Sequence, residues 1–222
     1  MKDVQKPGHI SLVTLVNHLK EGRFVIPDFQ REFEWEPWDV QDLMQSIFLD
    51  YYIGSLLLWK GESDNFDALH CEDIYGFGGS GKPELIVLDG QQRLTAIYYT
   101  LVAPDVSLPN RVNRYMFFIH VDKFMADDYE SAFEYNWTQG GLNLLADTEE
   151  QYRRHAFPMS VVGRGPFTLP TWLSGYEQFW DERAKGGEAG AKACAENAAL
   201  FMGWASDWRS SNSLVGRSRI LT

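Results

Sequence analysis

The sequence predicts an α+β fold: a small mixed sheet with flanking helices, followed by a helical extension. Two runs, Ser55-Leu56-Leu57-Leu58-Trp59 and Glu84-Leu85-Ile86-Val87-Leu88, have the length and apolar continuity of strands buried on both faces. Helical periodicities stand around them rather than in one block. Beyond about residue 121 the strand signals fade and helical spacing takes over. The 222 residues are divided on this reading into a body over 1–160 and a helical extension over 161–222.

The elements follow in order. Ser11 can cap a first helix that places Leu12, Leu15, Val16 and Leu19 on one face, with Gly22 as its stop. Phe24-Val25-Ile26 reads as a short strand ending at Pro27. Pro37 suits the first turn of a second helix carrying Val40, Leu43, Met44, Ile47 and Phe48 on its apolar side. Gly54 ends that pattern before the first buried strand, and residues 61–83 read as a hairpin or loop with glycines near its end. Asp89-Gly90 stops the second buried strand, and a helix is expected from about Gln91 to Val102. Tyr115–Val121 is a further strand. Residues 127–136, 147–155, 171–184 and 188–208 are expected to be helical, the last two separated at Gly186-Gly187. The tail after Arg209 carries Arg217 and Arg219, lacks acidic residues and has little periodicity; it reads as frayed, or as cut before a further region.

Composition removes several function classes. Hydrophobic residues make up 45% and charged residues 23%, which excludes disorder and coiled coil as whole-chain descriptions. The 31 acidic against 20 basic side chains give a net charge of −11, so a general phosphate-gripping surface is not available and any nucleic-acid contact must be local. Two cysteines, Cys71 and Cys194, are too few for a disulfide framework and suggest reduced thiols. Met1–Pro7 lacks the apolar run of a signal peptide and no 18-residue apolar stretch occurs, so a cytoplasmic protein without membrane spans is expected.

Chemistry can sit in two clusters. In Asp89-Gly90-Gln91-Gln92-Arg93 a buried strand delivers the start of a helix, where unpaired amides and the helix dipole attract anions. Arg93 adds a planar fork for phosphate oxygens, Gly90 lets a ligand approach the backbone, Gln91 and Gln92 can donate and accept, and Asp89 can hold a metal ion or orient water. The same residues also suit a capped turn, with Asp89 as N-cap and Arg93 paired to a carboxylate. The second cluster is Ile26-Pro27-Asp28-Phe29-Gln30-Arg31 with Phe33 and Trp35, where Arg31 among aromatics can stack on a base, bind phosphate, or pack structurally. Gly76–Lys82 imitates the first seven positions of a P-loop, but Pro83 replaces the metal-binding hydroxyl and a strand follows rather than a helix. His70-Cys71-Glu72-Asp73 is a set of potential ligands in a loop, with no paired metal spacing among the five histidines.

With Ser46-Ile47 and Ile53-Gly54-Ser55 between them, these two clusters resemble the N-terminal domain of GmrSD-type, modification-dependent (type IV) restriction enzymes, a domain also found in SspE-like defence proteins and assigned to the ParB/sulfiredoxin-like superfamily. The resemblance covers residues 10–120 by motif and implies an NTP-binding and hydrolysing domain coupled to recognition of modified DNA. Carried onto this chain, it implies Asp89, Gln91, Gln92 and Arg93 as catalytic residues, Gln30, Arg31, Gly90 and Arg93 as nucleotide-binding residues, and Asp89 as the Mg²⁺ ligand. It also implies an HNH nuclease domain in cis or in trans, since no His-rich metal motif follows residue 160 and the chain alone is not expected to cut DNA. A groove including Arg31, Arg93, Arg111 and Arg114 would reconcile DNA binding with the negative charge. The alternative is a module that senses nucleotide, binds DNA or binds a partner without hydrolysis; a homo-oligomer is a further expectation.

Overall fold

A computed structural model describes residues 10–102, 105–211 and 219–221. It has the expected α+β composition, with small sheets flanked by helices and a helical C-terminal part. The expectations for Met1–Pro7 and for Arg217 lie outside the described residues. Contacts divide the chain into two compact units, residues 1–114 with 212–222, and residues 115–211.

The first unit opens with α1 (Leu12–Lys20). Ser11 Oγ accepts the Thr14 N–H at 3.1 Å, and Leu12, Leu15, Val16 and Leu19 are buried, as the spacing requires. β1 (Phe24–Ile26) follows the turn at Gly22. α2 (Pro37–Phe48) starts at a proline whose missing N–H is no loss in a first turn. β2 (Leu57–Lys60) comes next. The stretch expected as hairpin or loop instead holds a short helix, α3 (Ser63–Ala68), and a two-residue strand, β3 (Glu72–Asp73). Asn65 makes that helix possible, its Oδ1 accepting the Glu62 N–H at 2.9 Å.

β4 (Leu85–Asp89) and α4 (Gln91–Val102) form the spine of this unit. β4 pairs parallel with β1 and antiparallel with β2, while β3 pairs antiparallel with β1. α4 is buried over nearly its whole length, from Gln92 to Leu101, and both α1 and α2 pack on it. A helix covered on all sides is a core element. The β4–α4 junction is therefore held rigidly on both flanks.

The second unit contains β5 (Met116–His120), α5 (Val121–Met125), α6 (Tyr129–Ala132), β6 (Phe133–Asn136), α7 (Gln139–Ala146), α8 (Thr148–Arg153), β7 (Ala156–Pro158), α9 (Ser160–Arg164), α10 (Thr168–Lys185) and α11 (Ala191–Ser211). β5 is the centre of an antiparallel three-stranded sheet in the order β6-β5-β7. The helix expected over 127–136 is thus one turn followed by a strand. Phe133 and Tyr135 pair with Ile119 and Phe117, and this cross-strand pairing overrides the weak helical pattern. The same sheet explains why the compact units and the expected boundary at residue 160 do not coincide: β5 draws both of its partners from residues after 114. α10 and α11 form a hairpin across Gly187 and Gly190, both at positive φ. The tryptophans at helical spacing lie in its packing, with Trp172 stacked on Tyr176 at 5.0 Å and Trp204 against Phe124 at 4.7 Å. Finally β8 (Arg219–Leu221) pairs parallel with β2, so the first unit's sheet has the order β3-β1-β4-β2-β8.

Candidate functional site

The site grows from the end of β4. Gly90 sits at φ +101°, and a Cβ there would run into Leu56 and lie 3.3 Å from Nη2 of Arg93. Glycine is required by backbone and space together. The first helical hydrogen bond of α4 runs from Leu94 N–H to Gly90 O at 2.9 Å. The amides of Gln91, Gln92 and Arg93 therefore precede any intrahelical partner, and among the described residues no side chain caps them. Asp89 does not take the N-cap role. It is 68% exposed, and its Oδ2 accepts from Arg93 Nη2 at 3.1 Å.

Arg93 is 17% exposed and its fork is engaged inside the protein. Nη1 donates to Ile53 O and Nη2 to Ser55 O, both at 2.9 Å. These bonds fix the segment before β2 against the helix start. Gln92 is buried, and its amide clamps a second segment: Oε1 accepts the Glu34 N–H at 3.0 Å and Nε2 donates to Glu32 O at 2.9 Å. Gln30 donates through Nε2 to Val87 O of β4, which ties the 26–35 segment to the sheet. The two sequence clusters are thus joined by Gln92 and Gln30.

What remains uncommitted is Gln91, whose side chain has no hydrogen-bond partner among the described residues, and Arg31, which is 71% exposed and pairs only loosely with Glu34 at 3.2 Å. Gln30, Arg31, Trp35 and Asp89–Arg93 together line a chamber of about 180 Å³. A second chamber of about 540 Å³ shares Gln30, Arg31 and Gln91 with it and continues between β1, β3 and α4. All the predicted site residues are brought to the smaller chamber. Sequence reasoning missed the walls of the larger one: Thr95, Tyr75 and Asn110 sit in no motif, and only the fold gathers them.

The expected arginine groove has a compensated charge. Arg31 pairs with Glu34, Arg93 with Asp89, Arg111 with Glu36, and Arg114 with Asp105. Among the described residues no three His, Cys, Asp or Glu side chains gather as a metal site. His70 instead lies 3.7 Å from Asp28, and burial together with Asp28 pushes the Cys71 thiol up, keeping it protonated. The P-loop-like Gly76–Lys82 segment leads into β4, not into a helix.

Residues 12–161 match the family described as the GmrSD restriction endonuclease, N-terminal domain. The chain belongs to this family. It is also 34% identical over 185 residues to the uncharacterized protein MJ0686 of Methanocaldococcus jannaschii, a match that covers 78% of this chain and 32% of the relative. The chain thus spans about a third of the length of that relative. The GmrSD match takes in both chambers of the first unit and the second unit through β7, ending inside α9. Among the described residues no helix is long and apolar enough to cross a membrane.

Proposed function

We propose that the first unit binds and hydrolyses a nucleoside triphosphate, and that it serves a cytoplasmic modification-dependent restriction or antiviral-defence protein in which this step is coupled to modified DNA and to an HNH nuclease in cis or in trans. The observation that carries this reading is the meeting of both motifs around one 180 Å³ chamber whose floor is the uncapped start of α4. Such a terminus offers amides and a positive dipole end to phosphate oxygens.

The division of labour follows from which groups are free. The α4 amides and Arg31 bind the phosphate oxygens and offset charge that develops there. Gly90 leaves the backbone open to the ligand, and Gln30 forms the facing wall. Gln91 orients the attacking water, whose oxygen bonds to the γ-phosphorus as the bond from that phosphorus to the β–γ bridging oxygen breaks; a nucleoside diphosphate, inorganic phosphate and a proton result. Arg93 and Gln92 act through position, by holding the Ile53–Ser55 and Glu32–Glu34 segments. The donor set fits Mg²⁺ only as an ion that arrives with the nucleotide: Asp89 is a single exposed carboxylate, and Mg²⁺ in such sites takes one or two carboxylates and completes its shell with phosphates and water. Held by Asp89 and the nucleotide, it would supply neutralisation of phosphate charge.

Phosphate release from the four NTPs with Mg²⁺ tests the reading. The expected result is turnover that Gln91→Ala lowers by about a hundredfold without loss of folding. The engagement of Gln92 and Arg93 by backbone groups favours a second reading, in which nucleotide binds and is not hydrolysed. Tight binding without phosphate release selects it. A folded protein that neither binds nor turns over any NTP rejects both.

A further inference from the structure

We infer that His155 is a proton-operated latch inside the second unit: neutral, it ties the Cys194 thiol of α11 to Tyr176 of α10; protonated, it releases that thiol to solvent and to modification.

His155 stands at the corner between α8 and β7, and its backbone is held on both sides. Its N–H donates to Tyr152 O at 3.1 Å and its carbonyl accepts the Val121 N–H at 2.8 Å, at a φ of +54° that histidine tolerates better than most residues. The ring is the part that can change. Nδ1 lies 2.6 Å from the Tyr176 hydroxyl, and Nε2 lies 3.8 Å from Sγ of Cys194. Trp180 covers one face of the ring at 4.8 Å, with the planes 6° apart. One side chain therefore joins a sheet corner to both helices of the hairpin.

This bonding works in one charge state. Burial pushes the Tyr176 hydroxyl up and, together with Asp122 and Glu188, does the same to the Cys194 thiol, so each keeps its proton. A neutral imidazole has one N–H and one lone pair, so it accepts from one of these neighbours and donates to the other. An imidazolium can only donate. Both neighbours must then accept, and sulfur is the weaker acceptor, so the Cys194 contact is the one that fails.

The surroundings give the cation a second arrangement. Asp122 of α5 has its Oδ1 buried without a hydrogen-bond partner among the described residues, and its charge acts on His155, Tyr176 and Cys194 alike. His120 of β5 opposes the cation and is itself bonded to Glu134 of β6 at 2.7 Å. Arg153 and Arg154, beside His155 in the chain, are paired with Glu149 and Glu150. Burial pushes the Tyr152 hydroxyl of α8 up, so it stays neutral. Two arrangements that differ by one proton and one contact make a switch.

The test is the rate at which 4,4′-dithiodipyridine modifies Cys194 in the full chain, read by peptide mass spectrometry and divided by the rate for a free cysteine peptide at the same pH. The sulfur of Cys194 bonds to one sulfur of the reagent as the reagent's S–S bond breaks, and the thiol proton leaves with the thiopyridone. The ratio is expected to rise roughly five- to tenfold from pH 7.5 to 5.5, the proton uptake of one released histidine with a value near 6.5. His155→Gln is expected to hold the ratio constant, and His120→Gln to leave the rise intact. Should His155→Gln fail to fold, amide exchange of Ala195–Ala198 in the unaltered chain, corrected for the intrinsic rate, reads the same opening and is expected to speed up over the same range. A ratio or an exchange rate independent of pH, a rise that survives His155→Gln, or a rise lost in His120→Gln overturns the inference.

Discussion

Gln91 and Gln92 are adjacent and chemically identical, and the fold gives them opposite tasks. The Gln92 amide makes two backbone hydrogen bonds from a buried position, whereas Gln91 faces both chambers with its amide uncommitted. Gln92→Glu keeps the acceptor for Glu34 N–H and loses the donor to Glu32 O. It is expected to destabilise the protein by about 1–3 kcal/mol, the cost of an unpaired group in a part-buried site, measured by denaturant unfolding. The arginines divide in the same way. Arg93→Ala strands the carbonyls of Ile53 and Ser55 and is expected to lower stability by a similar amount, with nucleotide binding impaired as a consequence. Arg31→Ala removes an exposed side chain and is expected to change stability by no more than about 0.5 kcal/mol while weakening triphosphate binding. The residue types at this site were legible in the sequence. Their roles were not, because the partners lie about forty to sixty positions away, and only the folded chain shows that Arg93 faces Ile53 rather than a ligand.

At the scale of elements, the β4–α4 junction is the decisive piece. Gly90→Ala places a methyl against Leu56 at a backbone angle that L-residues avoid, so a loss of about 2 kcal/mol or more is expected in thermal or chemical unfolding. This junction was readable because its signals are local: a buried apolar strand, a glycine and a helical pattern. α1, β1, α2, α10 and α11 were readable for the same reason. β6 and β7 were not. Each is three or four residues long, and each exists because it pairs with β5. Strand character of that kind belongs to the partner rather than to the segment. The larger chamber escaped for a related reason, since it is walled by β1, β3, α4 and the segment around Asn110, which come together only in three dimensions.

Over the whole molecule the balance of 31 acidic and 20 basic residues, with Arg31, Arg93, Arg111 and Arg114 each paired to a carboxylate, argues against a broad basic face for anions and is consistent with the α4 terminus proposed above. Each unit also carries a histidine that folding keeps neutral. Burial, aided by Arg23, holds His18 below its ordinary value in the first unit. Burial, aided by His120 and opposed by Asp122, does the same for His155 in the second, where it stacks on Trp180 and meets Tyr176 at 2.6 Å. The unfolded chain then binds protons more readily than the folded one near and below about pH 6.5, so stability falls as pH drops through that value and levels off once the folded histidines also protonate. His155→Gln is expected to flatten the melting temperature between pH 7.5 and 5.5; an unchanged slope removes His155 from this account. The measurement that bears most directly on the proposed nucleotide site is the backbone amide spectrum of the labelled protein as Mg²⁺ and non-hydrolysable analogues of the four NTPs are added in turn. The account predicts that the largest shifts fall on Gln91, Gln92 and Arg93, with Gln30 and Arg31 next. A saturable response that leaves these amides unmoved and appears elsewhere, or no response at all, would contradict it.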